Sequence, residues 1–411
     1  MRLQMKIVFV SYYALDNNSG MHIFRLANAL AALGVECAAY TPGDPDAAKV
    51  HGDPLFRVYD AYLPPDRLAR LLSRRRDDVI VHLWTPRERP RRMAEPLAAA
   101  LGAPLIVHME DNEEAIFAAN REMFPDMDPA DEALWLPGEY FGCRSHPVRY
   151  REVLARAAGY TCIIDSLLDF KPAHVPGHVI RPSCEDEIFA MPPHSLPEEK
   201  IRLGITPESL VIFYPGGMHI NNYQEIYDLY EAVCMLRQAG LPMRIIKFGR
   251  YGEDLSAPLD SQGLGDCLRE CLVDLTDTAK QSDIPRIMRA ADYLVQPGGD
   301  NAFNHYRFPC KLPMFLASGR PVILPESNLG LLLTHGRNCL LLQNSPASST
   351  EICALLMLLI RNPRLASEIG AAGREFAREY FSWDKTAWNL RAFYREVLER
   401  HKRGASGATV A

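Results

Sequence analysis

The chain has 411 residues, 48% of them hydrophobic and 23% charged, with a formal net charge of −6. That length exceeds one ordinary core and predicts two domains of about 200 residues each. The acidic balance argues against a nucleic-acid binder, and no apolar run approaches the ~20 residues that span a bilayer. The N-terminus reads as a strand and not as a signal peptide. The ten cysteines are scattered through apolar segments, so reduced core thiols and a cytoplasmic protein are expected.

Lys6 to Val10 is a short apolar strand, and its loop ends at Gly20. A helix follows, with Ile23, Leu26, Ala27 and Leu30 on one face and Gly34 as its stop, and then a strand from Val35 to Tyr40. This opens a Rossmann-like half without the G-x-G-x-x-G fingerprint, so no dinucleotide cofactor is indicated. Gly20, at a strand-to-helix turn, would let a ligand approach the backbone. A basic stretch from Arg67 to Arg92 reads first as a solvated face; its alternative is peripheral contact with an anionic membrane.

Val79–Trp84 and Pro104–His108 read as buried strands that end in polar groups: His82 and Trp84, then His108, Glu110 and Asp111. Strand carboxyl ends point into the crevice of an α/β sheet, which makes these the acceptor-side candidates. Residues 112–150, with several prolines and aromatics, read as an irregular lid or substrate wall. A helix from Val148 to Ala158 and strands at Tyr160–Ile164 and His178–Pro182 complete this half. The proline-rich, charged run over 186–200 reads as the linker between domains.

The pattern then restarts with a strand from Ser209 to Tyr214 and the turn Pro215-Gly216-Gly217-Met218-His219. A helix from about Asn222 to Ala239 and a strand from Arg244 to Phe248 follow, the latter leading into Gly249-Arg250. Gly216 and Gly217 form a plausible anion cradle. Another strand, Tyr293–Val295, runs into a polar loop holding Asn304, Tyr306 and Arg307, then a helix from Lys311 to Ser318 and a strand starting at Pro321. Arg307 and Lys311 converge on a helix N-terminus whose amides are themselves donors, which is anion-binding chemistry. The stripe of Trp388, Leu390, Phe393, Tyr394, Val397 and Leu398 reads as core packing, and 404–411 as a disordered tail.

The segment FPCKLPMFLASGRPVILP resembles the donor-nucleotide segment of the family 4 (group 1) glycosyltransferases, through Lys311, Leu312, Leu316, Ala317, Gly319, Pro321 and Val322. IVHMEDNEE, around His108 and Glu110, and NPRLASEIGAAGREFAREYFSW are similar to further segments of that family. The resemblance implies a GT-B architecture, two Rossmann-like domains facing a cleft. They would be an acceptor-side domain over 1–185 and a donor domain over 201–380, with a helix over 381–403 crossing back to the first. It implies transfer of a sugar, with retention, from a nucleotide diphospho-sugar to a glycan, lipid-linked or small-molecule acceptor. No cofactor or metal is implied, and the setting would be polysaccharide or glycoconjugate synthesis in the cytoplasm or at the inner membrane face. His108, Glu110, Asp111, Arg307 and Lys311 are the catalytic candidates. Gly20, Gly216, Gly217, His219, Arg250, Asn304, Tyr306 and Met314 are the donor-binding ones. Tyr306 and Met314 stand where the family pattern has a pair of glutamates. That departure motivates two alternatives, a binding protein that no longer transfers and a sugar-nucleotide epimerase on the same fold.

Overall fold

A computed structural model of the chain describes residues 5–72, 78–123, 126–136, 138–218, 222–249, 264–344 and 348–408. The chain divides into two compact units, Met1–Pro182 with Trp383–Ala411, and Ser183–Ser382.

In the first unit, β1 (Met5–Val10), β2 (Glu36–Thr41), β3 (Arg57–Asp60), β4 (Asp78–Trp84), β5 (Leu105–Met109), β6 (Gly159–Cys162) and β7 (Gly177–Val179) form one sheet in the order 3-2-1-4-5-6-7. Every pairing is parallel. Ile7, Val8, Phe9 and Val10 are all completely buried, as expected of a central parallel strand covered on both faces. The covering helices are α1 (Asn18–Ala32), α2 (Pro65–Leu72), α3 (Glu88–Leu101), α4 (Glu113–Met123), α5 (Arg149–Arg156) and the long Trp383–Ala408 helix. Ala387, Leu390, Phe393, Tyr394, Val397 and Leu398 of that last helix join the core around Ile7, Phe9 and Leu26. The strand order reverses between β1 and β4, and the loops at the carboxyl ends of strands on either side of such a reversal are where α/β sheets place ligands.

The second unit repeats the plan. Its sheet of β8 (Leu210–Tyr214), β9 (Met243–Lys247), β10 (Leu272–Asp274), β11 (Tyr293–Val295), β12 (Val322–Pro325) and β13 (Leu340–Leu342) has the order 10-9-8-11-12-13, again all parallel. Here the reversal lies between β8 and β11. Around the sheet lie α6 (Asp186–Phe189), α7 (Pro197–Arg202), α8 (Tyr223–Gln238), α9 (Gly265–Cys271), α10 (Ile284–Met288), α11 (Ala302–His305), α12 (Leu312–Ala317), α13 (Ser349–Arg361) and α14 (Pro363–Tyr380).

Five sequence expectations change. Trp388, read with the core-packing stripe, is 58% exposed, outside the buried face of its helix. Residues 186–200, read as a linker, carry α6 and the start of α7 and count with the second unit. The stretch 112–150 is not irregular throughout, because Asn112 accepts the amides of Glu114 and Ala115 and starts α4; a side-chain oxygen there caps the first turn. The tail expected to be disordered from Gly404 is helical to Ala408, since extending an existing helix avoids the cost of nucleation. Cys234 and Cys267, expected as free thiols, are joined where α8 and α9 bring their Cα atoms to 6.0 Å, within the range a disulfide requires. Among the described residues, no helix is long and apolar enough to cross a membrane.

Candidate functional site

Each unit gathers polar side chains at the carboxyl ends of its strands. In the first, the centre is Glu110, just beyond β5 and 9% exposed. Ser19 Oγ, at the start of α1, donates to one carboxylate oxygen. Trp84 Nε1, at the end of β4, donates to the other at 2.9 Å, and His22 Nδ1 to the same oxygen at 3.2 Å. Burial by itself would raise the Glu110 pKa. The hydrogen bond and charge of His22, with His108 and Ser19, outweigh it and hold the carboxyl down to about 2. A carboxylate with three donors is a fixed negative charge rather than a proton acceptor.

His108 is fully buried, stacked on Trp84 with ring centroids 3.9 Å apart. Burial pushes its imidazole down to about 3, so the ring is neutral. Asp111 is half-exposed and lies 3.7 Å from Arg87, whose guanidinium grips Glu113 through bonds of 3.0 and 3.2 Å and stacks over the Tyr12 ring. The adjacent carboxylates Glu110 and Asp111 therefore serve different environments. Arg87, read as part of a basic surface, is 7% exposed; Arg91 and Arg92 are likewise paired, with Glu88 and Glu95. The carboxylates that neutralise them lie one helical turn away or on another element, so a charge run overstated the free basic surface. Gly20 is explained by crowding. A Cβ there would lie 2.5 Å from the Leu15 backbone, so the tight turn that seats Ser19 and His22 excludes any larger residue. Thr85, next to Trp84, holds a left-handed backbone (φ 73°) while fully buried, the kind of local strain that gathers at functional sites.

In the second unit, Gln296, Pro297, Asn304, Arg307, Pro309, Leu312, Leu324, Pro325, Ser327 and Asn328 line a cavity beyond β11 and β12. Lys311 ends over the Tyr214 ring, its Nζ 4.7 Å from the centroid. Gly216 is required here: a Cβ would meet that ring at 2.8 Å and the Lys311 ammonium at 2.9 Å. Gly249 (φ 135°) presses as closely on the backbone between Gly216 and Gly217. Burial, followed by the neighbouring Arg307 charge, pushes Lys311 down to about 7. An ammonium under that pressure is stabilised by any anion that joins it.

α12 is shorter than the sequence suggests. It begins at Leu312, has Pro313 in its first turn and runs six residues, so an anion here depends on side chains and loop amides more than on a helix dipole. Asn304, nearly buried, donates to Glu225 at 2.5 Å and to the Gly299 carbonyl at 3.0 Å, while Asn328 (φ 59°) donates to the Asn304 carbonyl at 2.9 Å. Glu225, on the first turn of α8, was not foreseen. Its pKa is raised by burial, against Asn304, Arg307 and Lys311, which lower it. A first-turn glutamate ordinarily reads as helix-dipole complementation, so spacing gives no signal for it. Tyr306 and Met314 are half-buried and do not line the cavity. His219 and Arg250 lie outside the described residues.

No protein-family model matches the chain. It is 26% identical over 212 residues to a D-inositol 3-phosphate glycosyltransferase of Rhodococcus erythropolis; the match spans 49% of this chain and 45% of that protein, so the chain spans less than half the length of the curated relative. Among solved structures it is similar to HepE of Anabaena in complex with UDP and glucose, at 14% identity, a TM-score of 0.68 and coverage of 95% and 99% of the two chains. It is also similar to a glycosyltransferase of Rickettsia africae, at 13% identity, a TM-score of 0.69 and coverage of 97% and 99%. Sucrose-phosphate synthase of Thermosynechococcus elongatus gives 12% identity, a TM-score of 0.68 and coverage of 97% and 100%. The fold is that of GT-B glycosyltransferases over nearly the whole chain.

Proposed function

We propose that this protein transfers a sugar from a nucleotide diphospho-sugar to a hydroxyl acceptor, with retained configuration and without a metal ion, on the family 4 pattern. The observation that carries the reading is the cationic corner of the second unit. Lys311 and Arg307 converge beside the Gly216–Gly217 loop at the reversal between β8 and β11, where a diphosphate leaving group would gain charge during transfer. The complexes of HepE with UDP and UDP-glucose support the same class of donor. Asn304, held by Glu225 and Asn328, gives the cavity a positioned amide for the nucleotide. In the first unit, His108, Glu110 and Asp111 belong to the acceptor side, Glu110 as a standing charge.

The acceptor is a glycan, a lipid-linked or a small-molecule alcohol, and the setting is cell-surface polysaccharide or glycoconjugate synthesis, in the cytoplasm or at the inner face of the membrane. Contact with that membrane through the Arg67–Arg92 region would draw on fewer cations than the sequence offers, because Arg87, Arg91 and Arg92 are ion-paired.

The test is release of nucleoside diphosphate from a panel of sugar nucleotides, with and without candidate alcohols. Release is expected to rise with an acceptor and to yield a glycosylated product by mass. Binding without release would favour the reading in which transfer has been lost, for which Tyr306 and Met314 in place of the glutamate pair are the motive. An isomeric sugar nucleotide formed without acceptor would instead identify an epimerase.

A further inference from the structure

What His108 can do depends on which ring nitrogen carries its proton, and a buried chain of hydrogen bonds decides that. Tyr394 Oη, on the Trp383–Ala408 helix, lies 2.7 Å from His82 Nδ1. His82 Nε2 lies 2.9 Å from Thr161 Oγ1, and the same hydroxyl lies 2.8 Å from His108 Nδ1. All four residues are completely buried. The links join three neighbouring strands, β4, β5 and β6, to one helix of the same unit. Burial keeps both imidazoles neutral.

Each link could run either way, but the links are not independent. Thr161 has one hydroxyl proton, and each neutral ring has one N–H. Suppose Tyr394 donates to His82 Nδ1. Then His82 Nε2–H donates to Thr161, Thr161 donates to His108 Nδ1, and His108 carries its proton on Nε2. The one group left over is that Nε2–H, and Nε2 is the His108 atom that has no partner among the described residues. Suppose instead that the chain runs backwards. His82 Nδ1–H then points at Tyr394, the phenol proton loses its acceptor, and His108 Nε2 becomes an unfilled lone pair. Two buried groups are stranded instead of one. A third arrangement, with both rings donating to Thr161, strands the threonine proton and the His108 lone pair. Each unmet buried polar group costs about 1–3 kcal/mol, so the first direction prevails.

We propose that Tyr394 is a positioning residue: through His82 and Thr161 it holds His108 as the Nε2–H tautomer. That tautomer leaves His108 Nε2 a hydrogen-bond donor and not a general base. That role rests on the glycosyl-transfer reading above; the tautomer itself does not.

Histidine-selective ¹⁵N labelling with long-range proton–nitrogen spectra distinguishes the two tautomers without substrate, and His108→Gln assigns the signal. The wild-type protein is expected to show His108 with its proton on Nε2. In Tyr394→Phe the two directions strand equal numbers of groups, so the His108 signal becomes a mixture. If only one tautomer is competent, kcat falls about twofold with the donor KM unchanged. Thr161→Val cuts the chain beside His108 and serves should Tyr394→Phe not fold; it too is expected to mix the tautomers. Wild-type His108 protonated on Nδ1, or a His108 spectrum unmoved by both variants, would overturn the relay. The expected tautomer in a protein that transfers nothing would leave the relay standing and sink the functional reading instead.

Discussion

Replacing Lys311 with alanine is expected to weaken binding of a nucleoside diphosphate by roughly 10- to 100-fold, because a charge-assisted hydrogen bond to a buried anion contributes about 1.5–3 kcal/mol. Arg89→Ala, in the other unit, should leave that affinity unchanged. The pH dependence follows from the Lys311 pKa of about 7 in the free protein. A bound dianion favours the ammonium, so its pKa rises on binding and the protein takes up a proton whenever the free amine is neutral. Affinity should therefore fall as pH rises through 7 and above. The diphosphate also titrates near pH 6, which runs the other way, so the informative quantity is the difference between wild type and variant. Isothermal titration in buffers of different ionisation heat, near pH 8, is expected to show proton uptake for wild type and none for Lys311→Ala. Equal affinities, or equal proton uptake, would place the anion elsewhere.

Glu110→Gln is expected to cost about 3 kcal/mol of stability at neutral pH. The carboxyl sits at about 2 in the folded chain against its ordinary 4.5, and each pKa unit is worth about 1.4 kcal/mol. Its folded pKa is depressed, so the stabilisation is complete above about 4.5 and is lost as pH falls from there through 2. The variant and wild type should differ most above pH 5 and converge in acid. All four tryptophans, Trp84, Trp135, Trp383 and Trp388, lie in the first unit. Tryptophan fluorescence during urea unfolding therefore reports on the unit that contains Glu110. A difference that stayed constant down to pH 3 would mean that packing, and not charge, is what glutamine disturbs.

Much of the fold could be read from the chain, for a reason visible in β1 and β8. Parallel strands covered on both faces are short uninterrupted apolar runs, and Gly34 or Gly240 closes the helix that follows each. β3 escaped notice because Arg57-Val58-Tyr59-Asp60 sits at a sheet edge, where mixed polarity is tolerated. α4 was hidden in a stretch whose prolines drew attention away from the cap at Asn112.

The sites were legible in kind but not in detail. Lys311, Arg307 and the glycine pair announce anion binding through residue type and loop position. Nothing local distinguishes Glu225 from any first-turn glutamate, or Tyr394 from the apolar stripe around it; both acquire their roles from partners 79 and 312 residues away in the chain. The reverse error befell Arg87, whose charge looked available until Glu113 was folded against it.

The most direct measurement is a crystal structure with a bound nucleoside diphosphate such as UDP. Phosphate oxygens are expected within hydrogen-bonding distance of Lys311 Nζ and the loop at Gly216–Gly217, with Arg307 on the same group and the nucleoside running along Asn304 and Asn328. Diphosphate density away from Lys311, or none at a concentration that saturates the protein in solution, would contradict it.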